Sequence, residues 1–477
     1  MKLNTLAGAC LLAFATPAAF ALNPATTGAI GTVKIYMSGA SAQLNVLQGV
    51  FNSMCVVGTR DTYTHTGNVI GISCTIAPGI SNLAGKNVFL SYNADGGSGQ
   101  GVYPIAKTVD SGGAISVLSS SKRPQITNPA ACTGASPNYS CAVANVSERF
   151  SDAGVSDVEP NLFKAEENKP SNFSTTALED FELANLDVGS QNQVIMGIAV
   201  TNNLYNDLAA AQGLSTGAGQ VPSLPRAAVA SLLSGALASP SSGQGWQALF
   251  TPGTLPAGAA VTGQVNIGRR VNGSGTQAAA NAYFLNYGCA PLSNTVPLKN
   301  SDDNPGQVDI FEGSGTSNVI SFLNGIPAAQ YGIGLISKEN APAVGANWKH
   351  VAIDGIVPNR DNVKNGKYEF VVEQTMQWNN AYVATALRTT AEPLPAGVTT
   401  GDLVSFLSAY RTRAGAPVVL DSIASSSTKE GVTALINDAE GFIYADTAMT
   451  TAGLANAKFV SRMTRGGNTC QPFTWSK

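Results

Sequence analysis

Histidine is almost missing from this sequence of 477 residues: His65 and His350 are the only two. His65 stands in a threonine-rich stretch and His350 beside an apolar one, which leaves neither a histidine-based catalytic triad nor a zinc site with the side chains it needs. Charge is scarce too, at 12% of residues, and nearly balanced, with 27 Lys and Arg against 30 Asp and Glu. So weak a net charge gives no electrostatic case for nucleic acid or a membrane surface as partner, and any anion must be held by a local site. No run beyond the first residues reaches the about 18 apolar residues of a membrane-spanning helix, so no transmembrane segment is expected in the mature chain. A nucleotide-binding loop would need a Gly-Lys-Ser/Thr ending that is absent here, and the cysteine spacings suit neither a Cys-x-x-Cys redox pair nor a zinc knuckle. Paired carboxylates such as Asp302-Asp303 lie in a polar linker, where solvation explains them better than acid-base chemistry. These gaps point to binding rather than catalysis: no enzyme activity, cofactor or metal is expected.

What is present begins with the layout of an export signal: Lys2, an apolar stretch from Leu6 to Phe14, and small residues at Ala19 and Ala21. Cleavage after Ala21 is expected, giving a periplasmic or secreted protein; a lipid-attachment reading of Ala7 to Cys10 leaves too few residues before the cysteine. Loss of Lys2 leaves 26 basic side chains against 30 acidic ones. Cys10 departs with the leader, and Cys55, Cys74, Cys132, Cys141, Cys289 and Cys470 remain, an even number that reads as disulfides in an exported chain. Sequence alone leaves the pairing open; the two short separations favour Cys55 with Cys74 and Cys132 with Cys141, leaving Cys289 with Cys470.

Strands and helices alternate through most of the body, which favours an open α/β architecture. Val33 to Met37 reads as a strand, Ser38-Gly39 as a turn, and Leu44, Leu47, Val50 and Phe51 as the apolar face of a helix. Val88 to Tyr92 repeats the strand, followed by a glycine-rich turn around Gly96, Ser98 and Gly99. The turn-rich segment 108–149 reads as a surface insertion containing a hairpin. Gln193 to Val200 is nearly all apolar, as in a strand covered on both faces. A helix is expected from about Arg226 to Leu237, between Pro225 and Pro240. Val265 to Gly268 and Tyr331 to Ser337 read as strands; "FEGSGTSNVISFLNG" reads as a second glycine-rich turn before a helix, with no strand ahead of it. Strands are also expected in "HVAIDGIV" and "YEFVVEQTMQW", and a helix from Gly401 capped by Thr400.

The stretch "GRRVNGSGTQAAANAYFL" is the most informative. A strand ends in Arg269-Arg270, glycines let the backbone turn tightly, and a helix starts at once, so the N–H groups of Gly275 and Thr276 can converge on one point. Unpaired donors at a helix start favour an anion, Ser274 and Thr276 add hydroxyls, and Arg270 offers a bidentate fork. The competing reading is an ordinary Ser or Thr cap beside a surface arginine.

With "YMSGASAQ", "NADGGSGQGV", "SDAGVSD", "PRAAVASLLSGAL" and "YGIGLISKE" in the same order, the chain resembles type 2 periplasmic solute-binding proteins of the PstS-like, phosphate-binding group, over about Gly31 to Glu339. The resemblance implies a two-lobed fold with mixed sheets flanked by helices, and the strands Gln193 to Val200 and Tyr331 to Ser337 set the expected borders: residues 22–190 with 346–477 as lobe 1, carrying the insertion 108–149, and 191–345 as lobe 2. It implies that phosphate or a similar oxyanion sits between the lobes and passes to an ABC permease. Matching motifs assign Ser38, Ala40 and Ser41 to a first turn and Ser98 to a second. They assign Ser156 and Asp157 to a third and Arg270, Ser274, Gly275 and Thr276 to the largest group. The resemblance makes Asp157 the acceptor of a proton from phosphate, which fully ionised sulfate lacks. Asn272 stands where the family usually has an aspartate paired with the arginine, so Arg270 is expected to be the more positive for it. The insertion and the long C-terminal region depart from the family's size, and they motivate an alternative role as a surface attachment or assembly protein built on the same scaffold.

Overall fold

The computed structural model describes residues 22–29, 31–215, 219–236, 246, 249–250, 264–289, 295–304, 306, 308–416, 419, 432–435, 460–461 and 463–475. The expected leader, and Leu237 and Pro240 at the end of one expected helix, lie outside them.

Twelve strands follow one path through a mixed sheet. They are β1 (Val33–Gly39), β2 (Asp61–His65), β3 (Val69–Thr75), β4 (Asn87–Asn93), β5 (Thr133–Ala135), β6 (Asn138–Ser140), β7 (Ala153–Ser156), β8 (Leu186–Thr201), β9 (Val265–Arg270), β10 (Val308–Gly313), β11 (Gly332–Ser337) and β12 (Val371–Asn379). Their spatial order is β10-β9-β11-β8-β12-β7-β1-β4-β3-β2-β6-β5. β1 is parallel to β4 and β7, and β9 is parallel to β10 and β11, whereas β8 is antiparallel to both β11 and β12. The fold is thus α/β with a large mixed sheet and helices packed on it.

β8 is the seam of this sheet. Its first part pairs Leu186 to Ile195 with β12, with an irregularity between Ser190 and Gln193, and its second part pairs Met196 to Val200 with β11. From sequence the strand is legible only from Gln193 onward. Leu186 to Ser190 are half-exposed or exposed, offer no continuous apolar run and are fixed by the partner strand.

The helix α1 (Gln43–Met54) buries Leu47, Val50, Phe51 and Met54, spaced for one helical face. Against it lies α4 (Thr400–Ala414), which buries Leu403, Phe406, Leu407, Tyr410 and Ala414, with the rings of Phe51 and Phe406 6.1 Å apart. Residues near the two ends of the chain therefore share one core. α2 (Gly275–Leu285) and α3 (Thr316–Gly325) follow β9 and β10.

Several expectations are corrected. β1 runs through Ser38 to Gly39, so Ser38 belongs to the strand and not to a turn. A strand does precede the second Gly-Ser-Gly-Thr string: Val308 and Ile310 point into the core of β10, and parallel pairing with β9 supplies the stability that so short a run does not announce. The helix begun at Arg226 ends at Leu233, and the cap of α4 is Thr399, which accepts from Asp402 N–H at 3.2 Å. The segment 108–149 contains its hairpin, β5 with β6, which joins the sheet edge at β2. It is not only a surface feature, because Lys122–Ile126 pairs with Val146–Phe150 and the buried Gln125 donates to Met37 O at 2.9 Å.

Disulfides join Cys55 to Cys74, Cys132 to Cys141 and Cys289 to Cys470. Among the described residues no helix is long and apolar enough to cross a membrane.

Candidate functional site

Three strand ends meet near the seam: those of β1, β7 and β9. Gly39, at φ 134°, lets β1 approach β7 so closely that Ala40 N–H donates to Val155 O at 2.8 Å. Ser38 is buried behind this contact; its hydroxyl donates to Gln100 O at 2.8 Å and accepts from Ser151 at 3.1 Å. The hydroxyl of Ser156 accepts from Val158 N–H at 3.2 Å. Immediately after β7 comes Asp157, whose N–H donates to the Ser98 hydroxyl at 3.1 Å and whose Oδ1 accepts from Gln374 Nε2 at 2.9 Å.

From the other side, the end of β9 delivers Arg270. Its Nε donates to Gly313 O at 3.1 Å, and its two terminal nitrogens donate to Ser314 O at 2.8 Å and the Thr316 hydroxyl at 3.2 Å. A guanidinium carries five N–H groups, so this clamp leaves a pair of them for a further acceptor. Next to it α2 begins. Ser274 caps the helix by accepting from Gln277 N–H, and the first main-chain bond of the helix runs from Ala278 N–H to Ser274 O at 3.0 Å. The N–H groups of Gly275 and Thr276 precede that bond and have no partner within the helix. A Cβ on Gly275 would lie 2.4 Å from the Ser98 hydroxyl and 2.7 Å from Asp157 Cβ, so only glycine lets the helix start touch the Asp157 turn.

A cleft of about 220 Å³ opens where these groups meet. Ser41, Asp157, Arg270 and Thr276 line it, together with Asn68, Thr316, Ser337, Glu339 and Asn340 from the surrounding turns. Ser38, Ala40, Ser98, Ser156, Ser274 and Gly275, also expected as ligand residues, do not line it. The hydroxyls of Ser38, Ser98, Ser156 and Ser274 and the N–H of Ala40 make hydrogen bonds within the protein, and Gly275 has no side chain to offer. Burial pushes the Asp157 carboxyl up, against the hydrogen bonds of Gln374 and Ser98 and the charge of Arg270, which pull it down. Burial lowers the Arg270 guanidinium, against the opposing pull of Asp157.

Asn272 is corrected. Its carbonyl oxygen accepts from Arg269, not Arg270, at 3.0 Å, and its amide donates to Glu167 at 3.2 Å. An aspartate here would face Glu167 and act on Arg269, which also lies 3.6 Å from Glu312.

Sequence reading missed Gln374 and the use of Gly313 to Thr316 as the clamp on Arg270. The repeated Gly-Ser-Gly-Thr string was the available signal for the clamp. For Gln374 the signal was a run of polar residues, Gln374, Thr375 and Gln377, inside a strand that proves wholly buried. Both histidines are structural: His65 Nδ1 bonds Cys141 O at 2.8 Å, and His350, pushed down to about 4 by burial, bonds Ile336 O through Nε2. Among the described residues no cluster of His, Cys, Asp or Glu could hold a metal ion.

No protein-family model matches the chain, and no curated protein matches it. Solved structures do. A Clostridium perfringens protein named as a phosphate ABC transporter substrate-binding protein, with bound phosphate, is 13% identical over 75% of this chain and 91% of its own, with a TM-score of 0.37. An ABC-type phosphate transport receptor from Vibrio cholerae is 11% identical over 79% of this chain and 93% of its own, also with a TM-score of 0.37. PstS from Borrelia burgdorferi is 10% identical over 74% and 94%, with a TM-score of 0.32.

Proposed function

We propose that the cleft binds a tetrahedral oxyanion, phosphate first among them, and that the protein is an exported solute-binding protein serving an ABC-type importer. In this reading the two halves of the sheet act as lobes, residues 22–190 with 346–477 against 191–345, and β8 is one of their crossings. One observation carries the proposal: Asp157 and Arg270, both buried, line the same cleft, yet among the described residues no ion pair joins them. A carboxyl and a guanidinium that share one cleft without pairing leave a place for a group that answers both. Hydrogen phosphate supplies both halves of it, an O–H for Asp157 and charged oxygens for Arg270. Ser41, Thr276 and the start of α2 add donors around the remaining oxygens. The importer and the compartment rest on the resemblance and on the three disulfides, which suit an oxidising environment.

The test is calorimetric titration of phosphate-stripped protein with phosphate, arsenate and sulfate, beside Arg270→Ala. Charge-assisted hydrogen bonds are worth about 1.5 to 3 kcal/mol, so the variant should bind phosphate roughly ten- to a hundred-fold more weakly for each strong bond lost. Equal binding by the variant, or no uptake of any of the three anions by the parent at about millimolar concentration, overturns the proposal. The attachment or assembly role then takes over. It is favoured by the β5–β6 hairpin, whose residues 133–138 are all exposed at the sheet edge.

A further inference from the structure

We propose that Gln374 is a positioning residue that decides which oxygen of Asp157 accepts the hydrogen bond of the bound anion's O–H, and so how strongly the cleft prefers a protonated oxyanion to a fully ionised one. The inference rests on reading the cleft as an oxyanion site.

Its basis is geometric. β12 pairs antiparallel with β7, opposing Thr375 to Ser156, and this register brings Gln374 beside Asp157 although 217 residues separate them. Gln374 is fully buried, and its amide donates to Asp157 Oδ1 at 2.9 Å. An oxygen that already carries a proton is a poor acceptor, so this bond marks Oδ1 as the oxygen that stays bare. In this reading the other oxygen meets the anion, with the Ser98 hydroxyl also bonded to the carboxyl.

The groups around Asp157 come from every neighbouring element. Ser98 bonds it from the turn after β4, and Arg270 acts on it from the end of β9. Tyr92 of β4 lies near it, with its hydroxyl donating to Ala40 O at 2.7 Å, and Glu339 lines the same cleft after β11. The adjacent Glu373 is engaged elsewhere, accepting from Gln193 Nε2 and from the N–H groups of Arg465 and Gly467. Gln374 is therefore a close neutral donor, holding the ionised form of a carboxyl that burial pushes up.

The sign follows. Ionised Asp157 can only accept, so it requires an anion with an O–H; neutral Asp157 donates its own O–H and tolerates sulfate. Preference for phosphate is present above the carboxyl's titration and is lost as pH falls through it. Loss of the Gln374 bond destabilises the ionised form, so the preference should disappear at a pH about one to two units higher.

Phosphate and sulfate are titrated into the full chain across about pH 5 to 8, with Gln374→Met, which is unbranched and of similar size, and Gln374→Glu. Met should move the midpoint of the phosphate-to-sulfate ratio upward, and lower the ratio about ten-fold at pH values between the parent's midpoint and its own. Glu should move the midpoint further, because two facing carboxyls tend to share one proton. A role limited to packing would weaken both anions alike and leave the midpoint in place, and that result in both variants overturns the inference. If the parent shows phosphate preference with a normal pH profile and neither variant shifts it, Gln374 fails while the oxyanion reading stands. A parent that binds neither anion removes both.

Discussion

If the cleft holds an oxyanion, Asp157 sets its specificity, because a carboxylate facing an anion is unfavourable unless a proton lies between them. Replacing it with asparagine keeps the size and supplies an N–H donor. Asp157→Asn is expected to raise sulfate relative to phosphate by roughly ten-fold or more, at one charge-assisted bond exchanged for a neutral one. The pH dependence of the ratio that Asp157 contributes should vanish, and Gln374→Met added to this variant should change it no further. Competition titrations at several pH values check this; an unchanged phosphate-to-sulfate ratio would show that Asp157 does not contact the anion. At this scale the site was half legible. Ser41, Asp157, Arg270 and Thr276 stand in glycine- and hydroxyl-rich turns whose chemistry is visible locally. Ser38 and Asn272 were misplaced because their partners, Gln100 and Arg269, depend on where a strand ends and which way a side chain leaves it.

Among the elements, the start of α2 does the most to shape the cleft. Its first residues are buried against Ser98 and the Asp157 turn, and Gly99 N–H donates to Gly273 O at 2.8 Å, so two glycine-rich turns are in direct contact. Gly275→Ala places a methyl group where the Ser98 hydroxyl and Asp157 Cβ already are. The expected cost is about 1 to 3 kcal/mol of stability, together with clearly weaker anion binding, because the helix start must retreat from Asp157. Thermal melting and phosphate titration of the same sample separate the two effects; wild-type affinity would mean that this contact does not set the cleft. Helices with a clear apolar stripe, such as α1 and α4, were legible because burial of one face is a local pattern. β10 and the stretch of β8 before Gln193 were not, since each is half polar and gains its stability from a partner strand. Gln374 belongs with them: only the pairing of β7 with β12 gives that polar side chain a purpose.

For the whole molecule, the disulfide between Cys289 and Cys470 has the widest reach, its ends lying 181 positions apart in the chain. Cys289 lies just beyond α2, the helix that carries Thr276 into the cleft. Cys470 follows a segment tied to the other half of the sheet: Thr469 donates through N–H and hydroxyl to Glu159 at 3.0 and 2.6 Å, while Arg465 and Gly467 each donate N–H to Glu373 at 2.8 Å. Glu373 adjoins Gln374 and Glu159 lies two positions after Asp157, so the bond straps the helix on one side of the cleft to the strands on the other. If the halves open about β8 to exchange ligand, the strap limits how far they part. Replacing both cysteines with serine should lower stability by roughly 2 to 5 kcal/mol, as expected for so long a closed loop. It should also speed both uptake and release of phosphate, with a smaller change in equilibrium affinity because the closed contacts are unchanged. Replacing Cys132 and Cys141 with serine, at the hairpin on the far sheet edge, should leave the rates alone. Rapid-mixing measurements of phosphate exchange on both double variants and the parent decide the matter. Equal rates in all three would make the long disulfide a stabiliser only, and the halves would then open, if they do, without straining against it.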